Sequence, residues 1–215
     1  MMRITGGALL RRRVLVPPGS ATRPATDMLR VALFNMLRKI LPDAVVLDLF
    51  AGSGVLSFEA LSRGARSAVL LETSGRALDC IRRNAETLGL AERVRALRLD
   101  VFRSLPVLSR MEERYDLVFV DPPYALVRDP DAETRLVKML EKMFFDSDLL
   151  AERVVTMVRY PRGDMFLRRL SRLQVLRRRN YGSTEIALLA RPGVTVVLGA
   201  KHARDRKRGP APPGN

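Results

Sequence analysis

Four short strand-like segments between residues 44 and 121, the first of them continuously apolar, each end on a carboxylate. Ala44-Val45-Val46-Leu47 ends on Asp48, Ser67 to Leu71 on Glu72, Val94 to Leu99 on Asp100, and Tyr115 to Val120 on Asp121. Short continuous apolar runs are the mark of strands buried on both faces. Stretches of helical spacing lie between them: Val55 to Arg63, closed by Gly64, and Ser74 to Leu88, closed by Gly89. Strands alternating with helices build a parallel sheet with helices on both faces. In such a sheet ligands bind beyond the carboxyl ends of the strands. All four acids therefore fall where a site is expected.

The flanking segments complete the outline. Residues 3–16 read as two short strands around Gly6-Gly7, and Pro17-Pro18-Gly19-Ser20 ends that piece. Thr26 or Asp27 can cap a helix running to about Lys39, with Leu29, Leu33, Met36, Leu37 and Ile40 on one face. Asp131 to Phe145 reads as a helix and Arg153 to Arg159 as a fifth strand. Leu173 to Arg178 and Glu185 to Ala190 read as an antiparallel pair around Tyr181-Gly182-Ser183. The last stretch, from about Thr195, is basic and rich in Gly and Pro, and its end is expected to be disordered.

Composition removes several chemistries. The chain has one cysteine, Cys80, and one histidine, His202. No internal disulfide is possible, and no ordinary zinc site can be assembled. Cys80 falls in an amphipathic helix and is expected to be a small buried apolar residue. No apolar run reaches the 18 or so residues of a membrane span, and no secretory signal is visible, so the cytoplasm is the expected compartment. The net charge of +15 favours a polyanionic partner, nucleic acid above all. Basic residues concentrate in residues 1–30, from Arg168 to Arg179, and from Lys201 to Arg208.

The first strand runs into Asp48-Leu49-Phe50-Ala51-Gly52-Ser53-Gly54. Its two glycines allow a tight turn and a close backbone approach to a ligand at the start of a helix. Ser57 stands where a dinucleotide fingerprint needs its third glycine, and no Gly-Lys-Ser/Thr follows, so neither a dinucleotide motif nor a P-loop is present. Glu72 can accept hydrogen bonds from two ribose hydroxyls. Asp100 can accept from an adenine amino group, with Val101 or Phe102 against the ring. A glycine turn, a ribose acid and an adenine acid, without a pyrophosphate cradle, suit S-adenosylmethionine.

Asp121-Pro122-Pro123-Tyr124 follows the fourth strand. Exocyclic amines of nucleobases are poor nucleophiles, because the nitrogen lone pair is delocalised into the ring. The Asp121 carboxylate and the Pro122 carbonyl can hold such a nitrogen by its N–H groups. Pro123 stiffens the loop, which preorganises the acceptors. Tyr124 can stack on a base that is unpaired or flipped. The methyl group then passes directly to nitrogen, with no metal and no strong base. The same chemistry on DNA adenine, and a non-catalytic basic ribosome-assembly factor on this scaffold, are the alternatives. The first usually carries a target-recognition domain, for which this chain shows no long insertion.

The sequence resembles the small-subunit (16S) rRNA guanine-N2 methyltransferases of the RsmD type over roughly residues 2–191. The resemblance rests on Arg3-Ile4-Thr5-Gly6-Gly7, Arg23-Pro24-Ala25-Thr26-Asp27, Ala32-Leu33-Phe34-Asn35, the Asp48 to Gly54 run, Asp121 to Tyr124, and Tyr181-Gly182-Ser183-Thr184. It implies a Rossmann-like seven-stranded methyltransferase fold with an N-terminal β-hairpin, S-adenosylmethionine as cofactor, and N2-methylation of a guanine in 16S rRNA or the assembled small subunit. The chain is expected to divide into a basic hairpin extension (1–22), a methyltransferase domain (23–192) and a basic tail (193–215) that is an addition to the family pattern, and to act as a monomer. The cofactor positions the resemblance implies are Asp48, Gly52, Gly54, Glu72 and Asp100, and Phe50, Ala51 and Val101 are expected beside them in the cofactor site. Asp121, Pro122, Pro123 and Tyr124 form the catalytic loop, and Arg3, Arg11, Arg12, Arg13, Arg23 and Arg30 are expected to face RNA. Ala25, Met28 and Val31 depart from the family pattern, as does Val158-Arg159-Tyr160, where a glutamate is usual.

Overall fold

A computed structural model describes residues 2–17, 26–163 and 166–199. Two short strands, β1 (Met2–Arg3) and β2 (Arg13–Val14), pair antiparallel. There follow α1 (Asp27–Leu37), β3 (Val45–Asp48), α2 (Val55–Ser62), β4 (Ser67–Glu72), α3 (Gly75–Leu88) and β5 (Val94–Arg98). Next come α4 (Leu105–Ser109), β6 (Tyr115–Val120), α5 (Tyr124–Arg128), α6 (Pro130–Phe145) and β7 (Leu150–Pro161). The chain then forms α7 (Phe166–Arg169), β8 (Gln174–Tyr181) and β9 (Thr184–Ala190).

Strands β3 to β9 form one sheet in the order β5-β4-β3-β6-β7-β9-β8. The β3–β4, β4–β5, β3–β6 and β6–β7 pairs are parallel, and β9 runs antiparallel to both neighbours. This is the Rossmann-like arrangement expected from the alternation. The chain moves outward from β3 through β4 to β5, then returns to β6 on the other side of β3. That reversal opens a crevice above the carboxyl ends of β3 and β6.

Side chains on successive residues leave the sheet on opposite faces. Val46 of β3, Leu117 and Phe119 of β6, and Val155 and Met157 of β7 join one apolar core with α1, α2 and α3. Val45 and Leu47, Val118 and Val120, and Val154 and Val158 join the other with α4, α5, α6 and α7. Burial on both faces explains why these strands are continuously apolar. Helices α1, α3 and α6 start on side-chain caps. Thr26 accepts from the Leu29 amide, Ser74 from Ala77, and Asp129 from Asp131 and Ala132. Gly89, at φ +70°, ends α3 in the left-handed conformation.

The N-terminal hairpin is welded to the sheet domain. Its strands are two residues each, shorter than the 3–16 reading, because the chain bends at Gly6-Gly7 to cross the end of α2. Ala8 N donates to the Ser62 carbonyl at 2.8 Å, and Ser62 Oγ donates to the Gly6 carbonyl at 2.7 Å. A β-carbon on Gly7 would lie 2.0 Å from the Ser62 carbonyl oxygen, so no larger residue fits there. Ile4 and Val14 are buried in the first core, and the expected end of the extension at residue 22 lies outside the described residues.

Arg30 corrects a sequence expectation. The sequence reading sets it among the RNA-facing arginines, but its side chain is completely buried. Arg30 Nε donates to Glu59 Oε1 at 3.0 Å, and Nη2 donates to the Arg3 carbonyl at 2.7 Å and to Asp27 at 2.8 Å. Glu59, also fully buried, accepts from the Thr5 amide and pairs with Arg63. A guanidinium enclosed in this way cannot reach a phosphate. It joins hairpin, α1 and α2.

Residues 191–199 continue past β9, and Gly199 N donates to the Met36 carbonyl at 2.7 Å. The expected tail boundary at 193 thus falls inside a segment docked on α1. The basic run from Lys201 and His202 lies outside the described residues. Cys80 is half-buried on α3 rather than buried. Among the described residues no helix is long and apolar enough to cross a membrane.

Candidate active site

The loop after β3 is shaped by two left-handed glycines, Gly52 at φ +55° and Gly54 at φ +75°. Gly54 is also sterically required. A β-carbon there would stand 2.8 Å from Phe58 and 3.0 Å from Leu70. It leads into α2, whose first amide groups face the crevice side of the sheet. Glu72, at the end of β4, ties the loop down. Its Oε2 accepts from Gly52 N at 2.9 Å, and its Oε1 accepts from Thr73 N at 2.8 Å and Ser74 N at 2.9 Å. Ala51 is buried, with its amide donated to the Leu71 carbonyl at 3.0 Å.

Asp48 lies beneath this loop, 1% exposed. Ser57 Oγ donates to its Oδ2 at 2.9 Å, while Oδ1 has no partner. Burial pushes the Asp48 carboxyl up to about 7; the Ser57 hydrogen bond opposes that, and the charges of Asp121 and Glu72 add to it. An enclosed carboxylate with an idle oxygen suits a cationic ligand.

A cavity of about 270 Å³ opens above the carboxyl ends of β3, β4, β5 and β6. Phe50, Gly52, Glu72, Asp100, Val101, Asp121 and Pro123 all line it. Asp100 Oδ1 accepts from Phe102 N at 3.0 Å and starts a single 3-10 turn, Val101–Arg103. That turn sets Val101 and Phe102 against the cavity beside Asp100. The Arg135 guanidinium of α6 stacks over the Phe102 ring, 4.2 Å from its centre. A far larger groove, about 920 Å³, lies at the amino ends of the strands around Ala44, Asp116 and Arg153. None of the four strand-end acids lines it, so size does not decide the site.

Asp121 leaves β6 at the mouth of the cavity. Arg159 of β7 donates from Nε to its Oδ1 at 2.5 Å. Burial raises the Asp121 carboxyl above its usual range, and the Arg159 charge and hydrogen bond pull it back. Pro122 is buried and Pro123 exposed. Pro123 caps α5, taking the Leu126 amide on its carbonyl at 2.9 Å. Tyr124 is therefore the first residue of a helix, an element the sequence did not announce. Its hydroxyl makes a short hydrogen bond to Thr184 Oγ1 at the start of β9. The Tyr181-Gly182-Ser183-Thr184 turn thus braces the segment that follows β6.

A family model described as Conserved hypothetical protein 95 matches residues 2–190. The YlbH protein of Bacillus subtilis (strain 168) is 29% identical over 192 residues, covering 89% of this chain and 100% of that protein. Ribosomal RNA small subunit methyltransferase D of Escherichia coli (strain K12) is 37% identical over 123 residues. That match covers 57% of this chain and 60% of the relative, so it spans less than two thirds of the latter. The chain belongs to the RsmD-type methyltransferase family. The solved structure of yhhF from Escherichia coli is 31% identical at a TM-score of 0.71, covering 88% of this chain and 97% of that one. A hypothetical protein of Thermus thermophilus is 29% identical at a TM-score of 0.68, covering 88% and 99%. The fold is that of the S-adenosylmethionine-dependent methyltransferases.

The family motifs now have physical locations. Gly6-Gly7 crosses α2, and the Leu33-Phe34 pair of α1 is core, Phe34 meeting Phe119 edge-on at 6.0 Å. Arg3, Arg11, Arg12 and Arg13 are exposed on the hairpin, although Arg12 also donates to the Thr87 carbonyl at 2.7 Å. Arg23 lies outside the described residues. The hairpin's exit reaches the loop after β3 through Asn84, which bonds Leu15 and the Ser53 carbonyl. Sequence reasoning does not assign roles to Ser57, Arg159 or Thr184. For Arg159 the available signal is a charged residue at the end of an otherwise apolar strand.

Proposed function

We propose that this protein uses S-adenosylmethionine to methylate the exocyclic N2 amine of a guanine in small-subunit ribosomal RNA. The observation that carries the reading is Asp121, held at the mouth of a cavity that also contains Glu72 and Asp100. The rRNA target is supported by the relationship to Ribosomal RNA small subunit methyltransferase D and by the net charge of +15.

The residues fit the cofactor. Glu72 would take the ribose hydroxyls on its remaining lone pairs. Asp100 and Val101 would take the adenine end, and buried Asp48 the cationic end beneath the glycine loop. When bound, S-adenosylmethionine supplies the methyl group as an electrophile on sulfur. Asp121 holds the amine by one N–H, and the Pro122 carbonyl holds the other. Tyr124, fixed through Thr184, offers its ring to the extruded base. As nitrogen gains the methyl group, its N–H becomes acidic, and that proton leaves along the Asp121 hydrogen bond toward solvent. Preorganised acceptors of this kind carry catalysis without imidazole.

Tritiated-methyl transfer to unmodified small-subunit rRNA, followed by nucleoside mapping, tests the reading. Label is expected in N2-methylguanine, and Asp121→Ala is expected to abolish transfer while cofactor binding persists. Label in N6-methyladenine, or full activity of Asp121→Ala, would refute it.

A further inference from the structure

We propose that Arg159 is the positioning residue for the methyl acceptor: it grips one oxygen of Asp121, keeps that carboxylate charged and aimed, and leaves the second oxygen for the base amine. The inference rests on the function proposed above.

The pair is built into the sheet. β6 and β7 run parallel with Val120 beside Val158, so the next residues of each strand bring Asp121 and Arg159 level. Their side chains are 14% and 9% exposed, and the guanidinium Nε donates to Oδ1 alone. A charge pair so enclosed is weakly screened by water. The other ionisable groups around this spot are Asp48 at the end of β3, Glu72 at the end of β4 and Asp100 after β5, while the Tyr124 hydroxyl is turned to Thr184. No lysine or arginine lines the cavity among the described residues. From β9, Glu185 is committed to Tyr160 and Arg178. Arg159 is therefore the cation set against a cluster of acids. Without it, burial would drive Asp121 to take up a proton. A protonated Asp121 would lose its strength as an acceptor for the amine.

The test is the pH profile of methyl transfer to rRNA by the full chain, read from about pH 6 to about pH 9. Arg159→Met is expected to bind S-adenosylmethionine as the wild type does. Its acid limb is expected to move to higher pH, with the rate falling roughly tenfold per pH unit below the new midpoint. Arg159→Lys, which restores the charge, is expected to bring the limb back toward wild type. Should Arg159→Met fail to fold, Arg159→Gln serves as the uncharged variant and is expected to show the same displacement. A wild-type profile in the uncharged variant, or a loss of rate that is uniform with pH, overturns the role of Arg159. A wild-type protein that transfers no methyl group to rRNA overturns the underlying function, and this inference with it.

Discussion

Replacing Glu59 by glutamine tests whether the basic N-terminus is held by a buried ion network. The Glu59 carboxylate is fully buried and receives the Thr5 amide on both oxygens, Arg30 Nε at 3.0 Å, and Arg63. Glu59→Gln removes the charge and turns one acceptor into a donor that faces other donors. Arg30 then stays enclosed without its buried counter-charge, with contacts that include Asp27, whose side chain is 71% exposed, the Arg3 carbonyl and Met2 Sδ. Breaking a buried pair by neutralising one partner costs about 3–5 kcal/mol, and these remaining contacts place the expectation near the lower end. For a chain of this length each kcal/mol lowers Tm by roughly 2–4 °C, so a loss of about 6–12 °C is expected. Far-UV circular dichroism during thermal unfolding measures it. If Tm falls by less than about 2 °C, the network contributes little, and Arg30 has to be explained by something other than stability.

Three further outcomes follow from the site. Glu72→Ala should weaken S-adenosylmethionine binding by about 1.5–3 kcal/mol, since one carboxylate orders Gly52 and would hold the ribose; unchanged affinity in calorimetry would reject that role. Cofactor affinity should depend on pH through Asp48, whose carboxyl sits up at about 7 in the free protein. A cationic ligand favours the ionised form, so affinity should rise as pH increases toward about 7 and then level off, with proton release on binding below that point; a flat profile would remove Asp48 from the cofactor site. Binding to rRNA should weaken steeply with salt, and Arg11→Ala or Arg13→Ala should each reduce the log–log slope by about one unit. Identical slopes would show that these exposed arginines do not meet phosphate.

The central strands of the sheet were legible because they are buried on both faces. Ser67 to Glu72 and Tyr115 to Val120 stand at the limits their apolar runs predict. What escaped was short or depended on distant partners. α5 begins at Tyr124 because Pro123 can supply a free carbonyl and a fixed φ, while the run after it carries no amphipathic signature. β7 extends to Leu150 and Pro161, beyond the Arg153 to Arg159 reading, since Arg153 sits exposed within it and breaks the apolar pattern. The acids at the strand ends announced a site, and all but Asp48 line the cavity itself. Their partners could not be read. Ser57, Arg159 and Thr184 approach across α2, β7 and β9, and local spacing carries no record of such contacts.

Arginine shows the same limit more sharply. A net charge of +15 invites each guanidinium to be counted toward nucleic acid. Yet Arg30 is sealed under the hairpin, and Arg159 is committed to Asp121. Arg93 caps the Ala65 and Leu61 carbonyls at the end of α2, and Arg191 donates to the Phe144 and Ala151 carbonyls. A planar group with five donors can satisfy helix-end and loop carbonyls that a lysine would leave unmatched. Part of the basic composition is therefore structural, and the charge available to RNA is smaller than the sum suggests. Arg3, Arg11 and Arg13 differ in being exposed on a hairpin fixed to α2, whose exit strand touches Ser53 through Asn84. A phosphate held there would be placed relative to the cofactor loop by bonded structure, which is how a sequence-independent contact can still set which base reaches Asp121.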